Sequence, residues 1–186
     1  MADYTTVSAL KTYLRISTAA DDDLLADLVT RASRIIDNHC GRWFVAEAGT
    51  RVYDARGQHI TPHLLLLDAD ILTVTSITNG DGTTIDPDDV VLRPINFPPY
   101  FGISLKDETG LRWTYNGSPQ AAISVTGTWG YSTTVPEVIA QAAIRIAALL
   151  YRQRDIGPAK PAADLLPEDI RRMLLPYLRL RVKVIS

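Results

Sequence analysis

The residues of this chain whose types could do chemistry are His59 and His63, Cys40 beside His39, and the acidic set Asp81, Asp86, Asp88 and Asp89. Two histidines four apart can share a metal when a helix carries them on one face. These two fall in a strand-like stretch, where four residues span about 13 Å, so they do not converge. Cysteine next to histidine is the pattern of an activated thiol, yet Cys40 falls at the end of a helical segment, where the dipole opposes a thiolate. It reads as structural. The aspartates suggest calcium, but their spacing lacks the glycine and the closing glutamate of an EF-hand loop, and a hairpin followed by a solvated acidic loop fits them better. The chain has no phosphate-cradling glycine loop, no nucleophile elbow and no zinc-finger spacing. The expectation is a protein that is no enzyme and uses no cofactor or metal.

The elements that would position these residues follow from periodicity. From Thr134 a hydroxyl for the first turn, Pro136 where a missing N–H is tolerated, and Glu137 at the positive dipole end start a helix. Val138, Ile139, Ala142, Ala143, Ile146, Leu149 and Leu150 then form one apolar stripe, with Ala147 and Ala148 adding small residues for close helix approach. Near the N-terminus a short helix beginning at Val7 leads through an acidic loop to a longer helix. There Asp21 or Asp22 can cap, Leu24, Leu25, Leu28, Ala32, Ile35 and Ile36 form the buried stripe, and Gly41 suits a left-handed stop. Between the helical parts the period changes to two. Candidate strands lie at Thr50 to Asp54, His63 to Leu67, Thr73 to Thr78, Val90 to Arg93, Gly102 to Lys106, Leu111 to Tyr115 and Ala122 to Thr126. Asn79-Gly80-Asp81-Gly82 is a hairpin turn signal, and Pro94, Pro98 and Pro99 limit their segment to edges or loops.

Several of these segments carry a resemblance. Trp129-Gly-Tyr, Val135-Pro, Ala142-Ala, and Tyr151 followed by Arg154-Asp155 resemble, in that order, the second core helix of the head-to-tail connector (adaptor) proteins of tailed bacteriophages. Val7 to Ile16 with Asp21-Asp-Asp-Leu-Leu is similar to the family's opening, and Gly41-Arg-Trp-Phe to its Gly-Arg-aromatic exit. Leu166 to Arg179 looks like the closing helix with its Leu-Leu-Pro-Tyr step. The family's Pro-Tyr-Arg is interrupted here by Leu178, which stands between Tyr177 and Arg179. The matches cover about half of the chain and bracket its middle. The resemblance implies a structural subunit that assembles as a ring, usually of twelve, between the portal protein and the next connector, stopper or tail protein. DNA would pass through the shared channel without sequence recognition, and terminal segments would grip the portal. The implied location is the virion's head-tail junction, after synthesis in the host cytoplasm.

Composition fits that picture. The 186 residues are 46% hydrophobic, enough for a sizeable core without disulfides or metals, and the single cysteine excludes an internal disulfide. No stretch has the length and apolarity of a membrane span or the shape of a signal peptide. The expected fold class is α+β: a helical bundle from residues 1–46 and 133–186, with residues 47–132 inserted as an antiparallel β region, the whole forming one compact unit. The net charge of −2 divides unevenly, with 9 Lys/Arg against 16 Asp/Glu in residues 1–110 (−7) and 10 against 5 in residues 111–186 (+5). Arg171, Arg172, Arg179 and Arg181 form a candidate basic partner face, open to an acidic protein, nucleic acid or solvent. After Pro176 the chain alternates polar and apolar, so Val182, Lys183, Val184, Ile185 and Ser186 are a candidate portal-docking tail that adds a strand to a sheet edge, with a frayed terminus as the plain alternative. Beside the adaptor reading stand another head-completion or stopper component and a basic nucleic-acid-binding module, the last expected to bind DNA in a salt-dependent way.

Overall fold

The computed structural model describes residues 1–153 and 166–179. The fold is mixed α+β, with four α-helices and a six-stranded antiparallel sheet among the described residues. Contacts divide it into two units: Met1–Val45 with Thr134–Arg179, which holds the helices, and Ala46–Thr133, which holds the strands.

In the helical unit, α1 (Val7–Leu14) starts where the Thr6 hydroxyl accepts the N–H of Ala9, and stops at Arg15 in the left-handed region at φ 60°. The second helix, α2 (Asp22–Cys40), ends at Gly41, φ 66°, whose N–H returns to the Asp37 carbonyl. Its buried side is Leu25, Leu28, Val29, Ala32, Ser33, Ile36, Asp37 and Cys40. Leu24 is exposed and Ile35 only half-buried, so the stripe is rotated from the purely apolar one expected. The rotation admits Ser33 and Asp37, two polar residues whose partners lie in the N-terminal segment. Asp21 stands at the N-cap of α2, its carbonyl accepting the Leu25 N–H at 2.8 Å, but its side chain caps no backbone N–H. Its carboxylate accepts instead from the hydroxyl of Tyr151, while Asp22 pairs with Lys11 at 2.6 Å. The third helix, α3 (Glu137–Gln153), buries Ile139, Ala142, Ala143, Ile144, Ile146, Ala147 and Ala148 against α1, α2 and α4, leaving Val138 exposed. The closing helix is shorter than expected: α4 (Glu168–Leu174) gives way to a 3₁₀ turn, Leu175–Tyr177, because Pro176 supplies no N–H to continue it.

The strands are β1 (Glu47–Tyr53), β2 (Leu64–Thr78), β3 (Thr84–Ile85), β4 (Val90–Arg93), β5 (Tyr100–Leu105) and β6 (Ile123–Trp129), in sheet order β1-β6-β2-β5-β4, with β3 hairpinned onto β2. The two segments expected at 63–67 and 73–78 are one strand. It pairs with β5 through its first half and β6 through its second, with register shifts at Leu66/Ile71, Ile71/Thr73 and Val74/Ser76. Those shifts change which side chains face the core, and a strict period of two is lost. These strands bury Leu65, Ile71, Ile77, Ile103, Ile123 and Val125, each side chain worth roughly 1.5–3 kcal/mol when removed from water. Gly127 allows β6 to lie close to β2, since a Cβ there would fall 2.1 Å from the Thr73 carbonyl oxygen.

The strand expected at 111–115 does not form. Trp113 donates its N–H to the Pro62 carbonyl at 2.9 Å and Thr114 to the Asn79 side chain at 3.2 Å, so loops satisfy this backbone instead of a ladder. Asn79 sits at the expected hairpin, but buried. Its amide reaches the Arg112 carbonyl at 2.8 Å, and its Oδ1 takes the N–H of Gly80 and of Thr114.

Candidate functional site

The end of the closing segment is anchored on the end of α2. A helix leaves its last carbonyls unpaired, and here the Cys40 carbonyl accepts the N–H of Arg179 at 2.8 Å. Within the closing step, Leu174 is fully buried, Leu175 is exposed, Pro176 stops the helix and Tyr177 turns back onto Phe44, ring centroids 5.8 Å apart in an edge arrangement. Phe44 meets Tyr4 in the same way at 5.6 Å. The three rings form a row joining the closing segment, the residues after α2 and the N-terminal segment, and edge-to-face pairs of this kind contribute about 0.5–1.5 kcal/mol each beyond their area.

Polar bonds hold the other side of Tyr4. Its hydroxyl donates to Asp37 and accepts the Phe44 N–H at 3.0 Å, while its backbone N–H donates to the Ser33 hydroxyl at 3.0 Å. Arg34 lies 3.3 Å from the Asp37 carboxylate, donates to the Ala2 carbonyl at 2.6 Å and rests 5.8 Å from the Tyr4 ring centroid. Burial raises the Asp37 carboxyl above its ordinary value, outweighing the Tyr4 bond and the Arg34 charge that pull it down. Burial likewise holds the Tyr4 phenol above the usual range, helped by Asp37.

Of the candidate basic face, Arg171 and Arg172 stand exposed on α4, and Arg179 is half-buried beside Gly41. Arg172 pairs with Glu168 one turn earlier at 3.2 Å. Arg171 acts on His39 in the last turn of α2: burial first, then this positive charge, lowers the histidine's affinity for a proton. Arg171 and Arg179 thus belong to the carbonyl end of α2, where positive charge is favoured. Arg181 and the candidate tail Val182, Lys183, Val184, Ile185 and Ser186 lie outside the described residues.

The other reactive-looking residues lie apart from this anchor in sequence or face other partners. His59 Nε2 lies 3.0 Å from the Asp54 carbonyl, and His63 Nδ1 is 4.0 Å from the Asp107 carboxylate. Cys40 is buried, which pushes its thiol up to about 12. Asp81 accepts the Thr83 N–H at 2.9 Å, a bond that holds its carboxyl below the ordinary range, and Asp86 accepts that of Asp88 at the head of the 3₁₀ turn Pro87–Asp89. Among the described residues, no group of three or more His, Cys, Asp or Glu side chains is placed to hold a metal ion, and no helix is long and apolar enough to cross a membrane.

Two features carry no sequence signal of the kinds used above. Ser33 and Asp37 are polar residues on a buried helix face, legible only once Tyr4 is placed. Ile95 and Phe97 are apolar residues held outward by the loop between β4 and β5, at 47% and 73% exposure.

No protein-family model matches this chain, and no curated protein matches it. Solved structures do share its fold. A chain from the neck of an empty gene transfer agent particle, computed with C6 symmetry, superimposes with a TM-score of 0.64 at 20% identity, over 95% of this chain and 90% of that one. A chain of the virion of the native particle gives 0.63 at 19% identity, with the same coverage. One from the native particle's neck, computed with C12 symmetry, gives 0.59 at 18%, over 95% and 89%.

Proposed function

We propose that this chain is a structural neck protein of a phage-like particle, a head-to-tail connector subunit that forms a ring between the portal and the tail or stopper. The observation that supports it most is the breadth of the fold similarity: 95% of this chain matches neck and virion chains of the gene transfer agent particle. The particle necks were computed with C6 and C12 symmetry, which agrees with a ring, and we assign this chain a dodecamer with DNA in its channel. In a ring the contacts are heterologous, so one face of each subunit complements a different face of the next.

On this reading, residues 1–46 and 133–186 act as a helical bundle with residues 47–132 inserted, and the bundle supplies ring contacts. The anchoring of Arg179 on Cys40 and of Tyr177 on Phe44 gives the tail, residues 182–186, a fixed base from which to dock on the portal. Arg171, Arg172 and Arg179 form the basic partner face beside that base, and Arg181 is assigned to it from the sequence. Virion localisation at the head-tail junction follows from the same reading.

A second reading is another layer of the neck, a stopper or head-completion component, which the same fold similarity favours because it spans neck and whole-virion particles alike. The deciding experiment is negative-stain electron microscopy of the chain mixed with the portal protein encoded in the same genome. A ring stacked on the portal is the expected result. Bare portals beside free subunits would overturn the adaptor assignment in favour of a later-acting component. Deleting residues 181–186 should abolish portal binding with the fold intact, and unchanged binding would sink the tail's docking role.

A further inference from the structure

We propose that the loop between β4 and β5 is a docking knob, and that its seat is the start of β1 on an adjacent copy of this chain. The inference rests on the ring reading above and names the surfaces that meet within the strand unit.

Among the described residues of that unit, the exposed large hydrophobics are Val52, Ile95 and Phe97, and the last two share one six-residue loop, Pro94-Ile-Asn-Phe-Pro-Pro. Three prolines fix φ at three of its positions, and Asn96 occupies the left-handed region at φ 73°, which asparagine tolerates better than most residues. A loop with so few free torsions loses little conformational entropy on docking. Neither apolar side chain is buried in the core, and an aromatic such as Phe97, once desolvated, is the kind of anchor that dominates an interface.

The sheet order puts the knob and the seat on opposite edges, since β4 ends one side and β1 the other. The register puts them at one level along the strands. Arg93 pairs with Gly102, Tyr100 with Ile71, Ile71 with Trp129, and Trp129 with Glu47. The loop therefore leaves the sheet beside β5 at the height where β1 begins. There Ala48, Gly49 and Thr50 are exposed and small, and Gly49 leaves the Trp129 ring close beneath it: a Cβ at Gly49 would lie 3.8 Å from the ring. The Trp129 indole donates to the Gly49 carbonyl at 2.8 Å, which ties the ring to the strand. The loop and Ala48–Thr50 carry no charge of their own; Glu47 and Arg51 flank the seat, the Arg51 guanidinium 5.1 Å from the Trp129 ring centroid. Copies joined edge to edge in one sense use the knob of one and the seat of the next, and each keeps a knob and a seat open for further neighbours. Such surfaces suit repeated head-to-tail contacts that close by rotation.

The test pairs cross-linking with deletion of the knob. Asn96→Cys with Ala48→Cys, oxidised under conditions in which the wild-type chain assembles on its portal, should give a ladder of covalent oligomers; either substitution alone should not, because the native Cys40 is buried. Ile95→Ser with Phe97→Ser should keep the wild-type unfolding midpoint, yet raise the concentration needed for ring assembly by about tenfold or more, as loss of an aromatic anchor does. Wild-type rings with no ladder, and serine-variant rings formed at the wild-type concentration, would overturn the knob and leave the ring reading standing. Serine-variant rings that form normally but no longer hold the portal would overturn it too, with a different protein as the loop's partner. A wild-type chain that forms no ring, with portal or without, would overturn both readings.

Discussion

Tyr4 and Asp37 are 33 residues apart in sequence and share a hydrogen bond inside the helical unit. The tyrosine oxygen that donates to the carboxylate also accepts the Phe44 N–H, so one side chain satisfies two buried groups on either side of the end of α2. An N-terminal segment without secondary structure is thereby held in one conformation.

Tyr4→Phe keeps the ring against Phe44 but removes the oxygen. It leaves the Phe44 N–H and one Asp37 oxygen buried without that partner, at a cost of about 1–3 kcal/mol. Urea unfolding should show a lower midpoint with an unchanged slope. A midpoint equal to wild type would mean that water replaces the hydroxyl.

Asp37 sets a pH dependence. Its folded-state carboxyl holds its proton above the ordinary value of 3.8, chiefly through burial, so between that value and the raised one the folded chain binds more protons than the unfolded chain. Stability from this group is therefore full below 3.8 and is lost as pH rises through the raised value. Asp37→Asn should flatten that part of a stability-against-pH curve measured by thermal unfolding. Parallel curves for the two proteins would contradict the assignment.

Gly127→Ala places a methyl where the Thr73 carbonyl already stands, 2.1 Å away. Backbone on both sides must move, and the cost should reach or pass the usual overpacking range of roughly 1–3 kcal/mol. Gly82→Ala meets nothing within 4 Å, although its φ of 88° strains any side chain, and so isolates the backbone term. Comparing the two unfolding midpoints separates crowding from conformation; equal losses would refute the close β2–β6 approach.

Cys40 is buried, which pushes its thiol up to about 12 and keeps it protonated near neutral pH. Iodoacetamide should leave the native chain unlabelled and modify it at once in denaturant. Labelling of the folded chain at the rate of a free thiol would show that the end of α2 opens.

What the sequence revealed and what it hid follow one division. Apolar repeats at three and four residues announce α2 and α3, because helix faces bury whole stripes, and Gly41 and Pro176 mark real stops for a reason of backbone geometry. The buried stripe of α2 departs from its apolar repeat because Ser33 and Asp37 are held inside by specific bonds to Tyr4, and such bonds have no periodicity. β2 read as two strands because Asp68 and Asp70 interrupt its apolar run and register shifts change its facing. Asp68 is exposed and binds Arg51 at 3.0 Å and the Tyr53 hydroxyl at 2.7 Å across the sheet. Asn79 was legible as a turn former, but its buried bonds to residues 112 and 114 depend on a loop far along the chain. His59 and His63 meet different partners, the Asp54 carbonyl and the Asp107 carboxylate. The outward Ile95 and Phe97 are illegible in the sequence, since an apolar residue in a loop does not declare which way it faces.

The helical unit is sewn from two stretches separated by residues 46–133, and this shapes how the chain acquires its structure. Holding the ends of 88 intervening residues together costs about (3/2)RT ln n, on the order of 4 kcal/mol, if that stretch is a free coil. The pairing of β1 with β6 removes most of that cost, because it brings Ala46 and Ser132 into a hydrogen bond of 2.8 Å. During synthesis α1 and α2 emerge first, yet must wait without their partner until α3 leaves the ribosome. The sheet made in the interval acts as the clasp that delivers the second half to the first.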